Sequence, residues 1–225
     1  MFDRVEGLIG KETLDKIKTK TVMIVGIGGV GGNAVEALIR SGIQNIIIID
    51  SDSVEVTNLN RQIISTQEVI GRKKVDVCTE RIKSINPSCN VTALNLFLDE
   101  KNLVSVLDDY KPNYIIDACD TVLTKQALIK ESIKIKIKLI SCLGTGNKLD
   151  PAMLEITDIR KTVNDPLARK LRKWVKDEQI KEKIMVLSSR ELPVKRDKVY
   201  TMCFVPNVAG IMLANYVIRN IIEEK

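Results

Sequence analysis

The residues best suited to chemistry begin with a glycine-rich segment that reads GIGGVGG. Gly26, Gly28 and Gly31 satisfy the pattern GxGxxG, and Gly29 lies within it. Glycines in this pattern let the backbone approach a phosphate closely, and a helix that begins there attracts an anion. Asp50 follows Gly31 by 19 residues, where a carboxylate can accept hydrogen bonds from a ribose. We therefore expect a nucleotide site. A tight turn without ligand is the alternative, and the loop alone does not separate NAD from ATP.

Charged and amide side chains come soon after this acid. They lie in the segments DSDSVEVTNLNRQ and GRKK and are Asp52, Asn58, Arg61, Gln62 and Lys74. Arginine forms paired hydrogen bonds with phosphate oxygens, and lysine supplies a compact positive charge. A dinucleotide dehydrogenase does not need cations here, whereas a triphosphate does. The group therefore favours ATP, although each residue taken singly could be a surface charge or a loop contact.

The segment DACDT adds another acid after an apolar run. Asp120 ends the fourth predicted strand, which in an open parallel sheet is the edge that binds ligands. A carboxylate there can hold Mg²⁺ between phosphates.

Histidine is absent from the sequence, which excludes a Ser-His-Asp triad, a Cys-His protease and a histidine-ligated metal.

Cysteine usage and hydropathy indicate the compartment. There are five cysteines and no CxxC pair, which favours a reducing environment without structural zinc or paired disulfides. Cys119 and Cys142 fall near the predicted ligand edge, and we expect both to be buried bystanders. Residues 1–20 contain nine charged side chains and lack an apolar signal core. The apolar stretch 203–222 is interrupted by polar residues and favours a buried or interface helix. We expect a cytoplasmic protein and leave weak membrane attachment through 208–222 open.

Strand and helix patterns alternate along most of the chain. Continuous apolar strands separated by helices predict an α/β fold: a Rossmann-like, doubly wound and mainly parallel sheet. The predicted strands are 21–26, 45–50, 91–96, 114–118 and 138–142, and the predicted helices are 30–40, 75–85, 100–108 and 121–133.

The alternation of predicted strands and helices changes after residue 144. We expect strands at 153–157, 184–187 and 199–204, a basic helix at 166–176 and an apolar closing helix at 208–222. This part is short and has no linker, so it reads as a C-terminal β/α elaboration of the main sheet. Residues 1–225 then form a single domain, with a helical segment at 1–20, a nucleotide-binding core at 21–150 and a substrate-binding elaboration at 151–225.

The positive charge is unevenly distributed. The net charge is +6, and residues 160–200 contain 13 basic and 6 acidic side chains, while the remainder has 22 and 23. A basic surface on a neutral body suggests a polyanion such as nucleic acid. A solvated, lysine-rich face is the alternative, and charge alone does not decide between them.

The combination of GIGGVGG, DSDSVEVTNLNRQ, GRKK and DACDT resembles the ThiF/MoeB type of ubiquitin-activating-like adenylating proteins. The resemblance covers most of the chain. It implies activation of a carboxylate as an acyl-adenylate with ATP and Mg²⁺, usually in a homodimer. It also implies ribose binding by Asp50, and a role for Asp120 with Mg²⁺ and the reacting centre. The implied phosphate contacts are Asn58, Arg61, Gln62 and Lys74. The opening Phe2-Asp3-Arg4 is similar to the family's, in which an arginine reaches the neighbouring subunit's triphosphate; Arg4 is the match.

The second half narrows the resemblance to one branch. Residues 141–151, which read SCLGTGNKLDP, and residues 165–169, which read DPLAR, are similar to the tRNA threonylcarbamoyladenosine dehydratases. That family cyclises the threonylcarbamoyl group of a modified adenosine beside the anticodon. The resemblance implies a tRNA partner for the basic stretch. The candidate contacts on one helix are Arg169, Lys170, Arg172 and Lys173, with Trp174 either stacked on a base or packed against the core.

In the mechanism that this resemblance implies, the substrate carboxylate attacks the α-phosphorus of ATP and pyrophosphate leaves. An atom of the same substrate then closes a ring and expels AMP, which needs no enzymic cysteine. Arg4, Arg61 and Lys74 would neutralise charge together with Mg²⁺, and Asp120 or the phosphate would act as base.

Three other functions remain open from the sequence. An adenylyltransferase would activate the C-terminal Gly-Gly of a ubiquitin-like sulfur carrier. An NAD-dependent dehydrogenase would use the glycine loop and Asp50 but leave Arg61, Lys74 and Asp120 without a role. A non-catalytic scaffold, for example a docking partner of a cysteine desulfurase, would bind ATP without turnover.

Overall fold

The strands that carry the candidate residues lie in one sheet. The computed structural model describes residues 1–224. The sheet has seven strands in the order β3-β2-β1-β4-β5-β7-β6, and every neighbouring pair is parallel except β6 with β7. The strands are β1 Thr21–Val25, β2 Asn45–Ile49, β3 Asn90–Leu94, β4 Tyr114–Asp117, β5 Lys138–Cys142, β6 Leu154–Asp158 and β7 Met185–Ser189. The prediction of a Rossmann-like, mainly parallel α/β sheet is confirmed.

Helices cover both faces of the sheet. They are α1 Asp3–Ile9, α2 Lys11–Thr19, α3 Gly29–Arg40, α4 Lys74–Ile85, α5 Leu103–Tyr110, α6 Val122–Lys134, α7 Pro166–Asp177 and α8 Phe204–Glu223. Side chains of β1 alternate between the two layers. Val22 and Ile24 pack in the cluster that contains α3 and α8, whereas Met23 and Val25 pack with α5 and α6. Burial on both faces explains why these strands are continuous apolar runs.

The strand order reverses beside β1. The chain moves outward from β1 to β2 and β3, and then returns to place β4 on the other side of β1. The connections that follow β1 and β4 therefore run in opposite directions and leave a crevice at the carboxyl ends of these strands. Such a crevice is the usual ligand site of an open α/β sheet. The glycine loop and the DACDT segment both open into it.

The last helix, α8, packs closely on α3. A Cβ atom placed on Gly210 would lie 2.2 Å from the carbonyl oxygen of Val30, so only glycine allows this approach. Ala209, Leu213 and Val217 on the same side of α8 are fully buried. Within residues 1–224, α8 is the one helix long and apolar enough to cross a membrane by length and composition. The buried side of α8 is typical of a helix in a protein core.

The elaboration after residue 144 continues the same sheet. Strands β6 and β7 agree with the predictions at 153–157 and 184–187. The predicted strand 199–204 is wrong, because this segment is irregular up to Phe204, where α8 begins. Its backbone groups find another partner: the Asn147 side chain accepts a hydrogen bond from the N–H of Tyr200 at 2.7 Å and donates to the carbonyl of Lys198 at 3.1 Å. This segment therefore forms its hydrogen bonds with an asparagine, whereas a strand would form them with a neighbouring strand.

A polar cluster ties α8 to the amino-terminal edge of the sheet. The Glu224 carboxylate accepts hydrogen bonds from Lys20 Nζ at 2.7 Å, from Lys138 Nζ at 2.9 Å and from the Tyr114 hydroxyl. Partial burial of this carboxyl favours its neutral form, but the hydrogen bonds outweigh burial and lower the pKa of Glu224 to about 2. The charged cluster therefore stabilises the folded state.

We expect Glu224→Gln to lower the free energy of unfolding by about 1 kcal/mol at pH 7, since solvent screens a cluster that is partly exposed. The folded-state pKa of Glu224 lies below its ordinary value of 4.5. Its contribution is therefore complete above about pH 4.5 and is lost as the pH falls toward 2. Urea unfolding at pH 7 and at pH 3 measures this loss.

Glu223→Gln is the matched control, because the Glu223 carboxylate is exposed and pairs only with Arg219 along the same helix. This variant should remain close to the wild type at both pH values. A difference between wild type and Glu224→Gln that stays constant as the pH falls would contradict the assignment.

Candidate functional site

A cavity of about 380 Å³ lies at the crevice between β1 and β4. It brings together residues that are far apart in the sequence: the glycine loop, the segment after β2, the first residue of α4 and the segment after β4. The predicted residues that line it are Gly26, Gly28, Gly29, Asp50, Asp52, Asn58, Arg61, Gln62, Lys74 and Asp120. Of the predicted nucleotide-binding residues, only Gly31 lies outside the lining.

The glycines of the loop have different structural roles. Gly26 has a φ of +90°, and a Cβ atom on it would lie 2.8 Å from the carbonyl oxygen of Ala118. A Cβ on Gly31 would lie 1.8 Å from the carbonyl oxygen of Gly26, so Gly31 allows the helix to start against the strand. Gly28 has open space on its cavity side, where the nearest atom to a Cβ is Gln62 Nε2 at 3.9 Å. Two glycines thus form the turn, and Gly28 leaves room for a ligand.

The amino terminus of α3 points into this space without a side-chain cap. Gly28 is the N-cap residue and supplies no side-chain acceptor. The first N–H groups of a helix have no partner within the helix, and together with the helix dipole they attract an anion. A phosphate at this position would accept their hydrogen bonds.

Asp50 is held rigidly at the end of β2. One carboxylate oxygen accepts a hydrogen bond from the N–H of Ile27 at 2.7 Å, and the other accepts from the N–H of Asp52 at 2.8 Å. The side chain is 8% exposed. Each carboxylate oxygen can accept a further hydrogen bond. Asp50 therefore joins the glycine loop to the next strand and still offers acceptors to the hydroxyls of a sugar.

Lys74 supplies a positive charge at the base of the cavity. Its side chain is 6% exposed, and its Nζ lies 2.7 Å from an Asp52 carboxylate oxygen and 3.8 Å from an Asp50 oxygen. The backbone N–H of Lys74 also donates to the carbonyl of Asp52, which fixes the start of α4. The two carboxylates hold the ammonium group in place, and an arriving polyphosphate can share its contacts.

The segment after β2 presents amide and guanidinium groups to the cavity. Asn58 and Gln62 are buried, and Asn58 is fixed in a short 3-10 turn, where its side chain accepts from the N–H of Glu55. Arg61 is half-buried, and its Nη1 donates to the carbonyl of Thr57 at 2.7 Å. In residues 1–224 the other guanidinium nitrogens donate to no protein group, so they remain free for a phosphate.

A fully buried ion pair, Asp117 with Lys125, lies next in the chain to Ala118 and Thr124, which line this cavity. Lys125 Nζ lies 3.0 Å from both carboxylate oxygens of Asp117 and 2.7 Å from the carbonyl oxygen of Cys142. It is also 3.3 Å from Ser141 Oγ. Burial alone would lower the pKa of Lys125, but the charge of Asp117 outweighs it and raises that pKa. The pair joins β4, α6 and β5 directly beneath residues that line the cavity.

This pair was not among the residues predicted from the sequence. Asp120 was predicted from the DACDT segment, and it is exposed and lines the cavity. Asp117 is the buried acid of that segment and ends β4 itself. The available signal was Lys125, a lysine among the buried side chains Thr124, Ala127 and Leu128 of α6. A charge on the apolar side of a helix requires a buried partner.

Both cysteines were predicted to be buried, which is confirmed for Cys142 and wrong for Cys119, which is half-buried and lines the cavity. Both thiols are neutral. Burial, together with the Asp117 charge, raises the pKa of the half-buried Cys119 thiol, whose Sγ lies 3.1 Å from an Asp117 oxygen. Burial raises the pKa of Cys142 to about 12, although Lys125 opposes the shift. Thiols in these surroundings are protonated near neutral pH and are poor nucleophiles.

The predicted tRNA contacts lie on α7, away from the first cavity. Arg169, Lys170 and Lys173 are exposed, whereas Arg172 is half-buried and its Nη1 donates to the carbonyl of Thr162 at 2.7 Å. Trp174 is half-buried, packs against the core, and has Lys130 Nζ 5.7 Å from its ring centroid. Arg172 and Trp174 are therefore already engaged within the fold.

Arg4 is exposed on α1 and does not line the cavity of its own chain. The resemblance placed this arginine at the site of a neighbouring subunit, and a single chain does not test that placement. Arg4 stays a prediction.

Solved structures with the same architecture bind adenine nucleotides. The E. coli tRNA N6-threonylcarbamoyladenosine dehydratase, TcdA, in complex with ATP superposes with a TM-score of 0.92 at 36% sequence identity, covering 98% of this chain and 93% of that one. The same enzyme in complex with AMP also gives a TM-score of 0.92, at 35% identity, with 97% and 92% covered. These are the ligands that a glycine loop with an adjacent ribose acid and cations would accommodate.

Sequence comparison agrees over the whole chain. A tRNA threonylcarbamoyladenosine dehydratase of Bacillus subtilis is 39% identical over 242 residues, covering 99% of this chain and 95% of that protein. The model of the ThiF family matches residues 2–224. The chain therefore belongs to the ThiF family and, within it, to the family of the tRNA threonylcarbamoyladenosine dehydratases.

Proposed function

We propose that this protein catalyses the ATP-dependent dehydration of N6-threonylcarbamoyladenosine in tRNA, with release of AMP and pyrophosphate. The observation that carries the proposal is the cavity between β1 and β4, which brings together the glycine loop, Asp50, Arg61 and Lys74. The chain covers 95% of a dehydratase of Bacillus subtilis and 92% of the E. coli dehydratase in its AMP complex. Activation of a sulfur-carrier Gly-Gly tail is not favoured, because those relatives are named for the tRNA reaction.

The reaction has two steps. A carboxylate oxygen of the threonyl group attacks the α-phosphorus of ATP, and the bond to pyrophosphate breaks. An atom of the threonylcarbamoyl group then attacks the activated carbonyl carbon, and AMP leaves with the former carboxylate oxygen. The ring therefore contains one water less than the substrate, and the proton of the attacking group passes to a base at the site.

The proposed roles follow the geometry of the cavity. The N–H groups at the start of α3 and the side chains of Arg61 and Lys74 face the triphosphate, and Asp50 faces the ribose. Asn58, Gln62 and Asp52 complete the nucleotide contacts. Preorganised charges of this kind stabilise the negative charge that develops on the phosphates. Asp120, at the far edge, faces the reacting carboxylate.

Magnesium belongs to the proposal and fits the site. Residues 1–224 contain no cluster of three or more histidine, cysteine or acidic side chains that could hold a metal alone. Asp120 is exposed and lines the cavity, and one carboxylate with phosphate oxygens and waters is a ligand set typical of Mg²⁺. When bound, the ion would neutralise charge on the triphosphate.

A homodimer is also proposed. Phe204, Ile211 and Ile222 are exposed, and their spacing places them on one face of α8, opposite the face that packs on α3. Leu8, on α1 near Arg4, is 83% exposed. An apolar helix face in this position suits a second copy of the chain, which could bring Arg4 to its partner's site. Sedimentation velocity distinguishes a dimer from a monomer of 25.2 kDa.

Four further parts of the interpretation remain predictions. They are a cytoplasmic location, a cysteine-desulfurase partner, the absence of zinc, and the division into a nucleotide-binding core at 21–150 and a substrate-binding part at 151–225.

The direct test is ATP turnover. We expect AMP and pyrophosphate to form only with tRNA that carries threonylcarbamoyladenosine, and the product nucleoside to be lighter by one water on mass spectrometry. Unmodified tRNA is the control. Release of AMP that depends on a Gly-Gly-ended carrier protein and not on modified tRNA would overturn the proposal.

Substitutions at the cavity should act on turnover. We expect Arg61→Ala, Lys74→Ala and Asp120→Asn each to lower the rate of AMP formation on the order of 10²-fold, because each removes a preorganised charge. Lys73→Ala is the matched control, since Lys73 is exposed, adjacent to Lys74 and outside the cavity lining. Wild-type rates in the cavity variants would contradict their assigned roles.

The basic face of α7 should bind the tRNA backbone. We expect the double variant Arg169→Ala/Lys173→Ala to weaken tRNA binding and to lower the slope of log K against log salt by about 2, because two phosphate contacts are lost. Filter binding at several salt concentrations measures both quantities. The control, Lys11→Ala/Lys101→Ala, removes two exposed lysines at other places in the fold. Equal effects from both double variants would indicate a loss of net charge rather than a binding face.

A further inference from the structure

A second cavity of about 360 Å³ lies beside the first, and Asp120 lines both. Its walls are partly apolar, formed by Val122, Leu167, Pro193 and Val199. Polar groups are placed among them, with Asn147 and Lys148 inside and Lys170 of α7 in the lining as well. The cavity thus lies between the acid at the reacting centre and the basic face of α7.

The wall between the two cavities is held by a second buried pair of opposite charges. Asp165 accepts a hydrogen bond from the N–H of Gly144 at 2.9 Å, and Lys148 Nζ donates to the carbonyl of the same glycine at 2.9 Å. Lys148 Nζ lies 3.9 Å from Asp165, and both side chains are at most 1% exposed. Both backbone polar groups of Gly144 are therefore fixed, so this wall is rigid.

The outer wall is the segment 190–203, which Asn147 holds at several points. The carbonyl of Asn147 accepts from the N–H of Val194 at 2.7 Å, and its N–H donates to the carbonyl of Tyr200 at 2.8 Å. Its side chain binds Tyr200 and Lys198, as described above. Asn147 has a φ of +57°, a conformation that asparagine tolerates better than most residues. Asn147 thus fixes the middle of the outer wall, and Asn164 and Asn60 bind the carbonyls of Arg190 and Thr201 near its two ends.

We infer that this second cavity binds the purine base that carries the acyl group, so that the carboxylate reaches Asp120 from the side opposite the ribose acid. This inference rests on the proposed function. Enzymes that act on a base take it out of the stack into a pocket with apolar faces and a few polar contacts. The four apolar side chains can pack against the faces of a purine, and the Asn147 amide can form a hydrogen bond with its polar edge.

The position of the cavity also fits the rest of the substrate. Lys170 lies both on the exposed face of α7 and in the cavity lining. The nucleic-acid backbone can follow the basic face of α7 while one nucleotide enters beside Lys170. ATP then approaches Asp120 from the first cavity and the acyl group from the second. A Gly-Gly tail would need only a narrow channel and would not fill the apolar walls.

Val199→Trp tests the inference, because Val199 is 76% exposed and lines the cavity, so the larger side chain fills the cavity without disturbing the core. Leu192→Trp is the matched control: Leu192 is 72% exposed on the same segment and lies outside the lining. We expect Val199→Trp to lower kcat/KM for modified tRNA by 10- to 100-fold, as an estimate of order of magnitude, with the affinity for ATP unchanged. Leu192→Trp should behave as the wild type.

Two readouts decide the outcome: ATP titration of each variant, and AMP release with modified tRNA. The free nucleoside N6-threonylcarbamoyladenosine and a Gly-Gly-ended peptide serve as competitors. Selective loss in Val199→Trp and competition by the nucleoside would support the inference. Wild-type activity in Val199→Trp, equal loss in both variants, or competition by the peptide alone would overturn it. If the wild type itself releases no AMP with modified tRNA, the proposed function fails and the inference fails with it.

Discussion

The buried pair of Asp117 and Lys125 is the interaction on which the site depends. Removing two charges from water is costly, and the cost is recovered only when the geometry is good and the remaining hydrogen bonds are satisfied. Here Lys125 binds the end of β4 and the end of β5 at once. The backbone that leaves these two strands supplies the far side of the first cavity and the wall of the second. The pair is fully buried and thus fixes the main chain where it leaves both strands.

A similar arrangement recurs at a second buried pair, Lys148 and Asp165. In both cases a lysine donates to a main-chain carbonyl at or just after the end of β5, and an aspartate holds the opposite charge. Main-chain segments between cavities cannot form regular ladders, so their polar groups need other partners. A buried lysine provides such a partner, and its long side chain spans a greater distance than a backbone N–H group can. The ligand-facing surfaces are therefore irregular in conformation and rigid at the same time.

The sequence was sufficient for the sheet, because five apolar runs with intervening helical patterns allow few arrangements other than a doubly wound one. It also allowed Gly26, Asp50 and Lys74, which belong to contiguous motifs, to be predicted as neighbours, and they line one cavity. It failed where the partner is distant in the chain. The segment 199–204 has an apolar, strand-like composition, but its hydrogen bonds go to Asn147. The contact of Asp117 and Lys125 with the end of β5 forms only in the folded chain, so the sequence alone did not predict it.

The close packing of α8 on α3 has a consequence for how the protein is made. The glycine loop leads directly into α3, and one side of α3 is covered by residues 204–223, which the ribosome adds long after the loop. A nascent chain that contains the whole phosphate loop therefore still exposes the apolar side of the helix that positions it. Contacts between segments so far apart in sequence form late, since the intervening chain must first be closed. Nucleotide binding should therefore begin only after residues 204–223 have been synthesised, which keeps shorter nascent chains from retaining ATP.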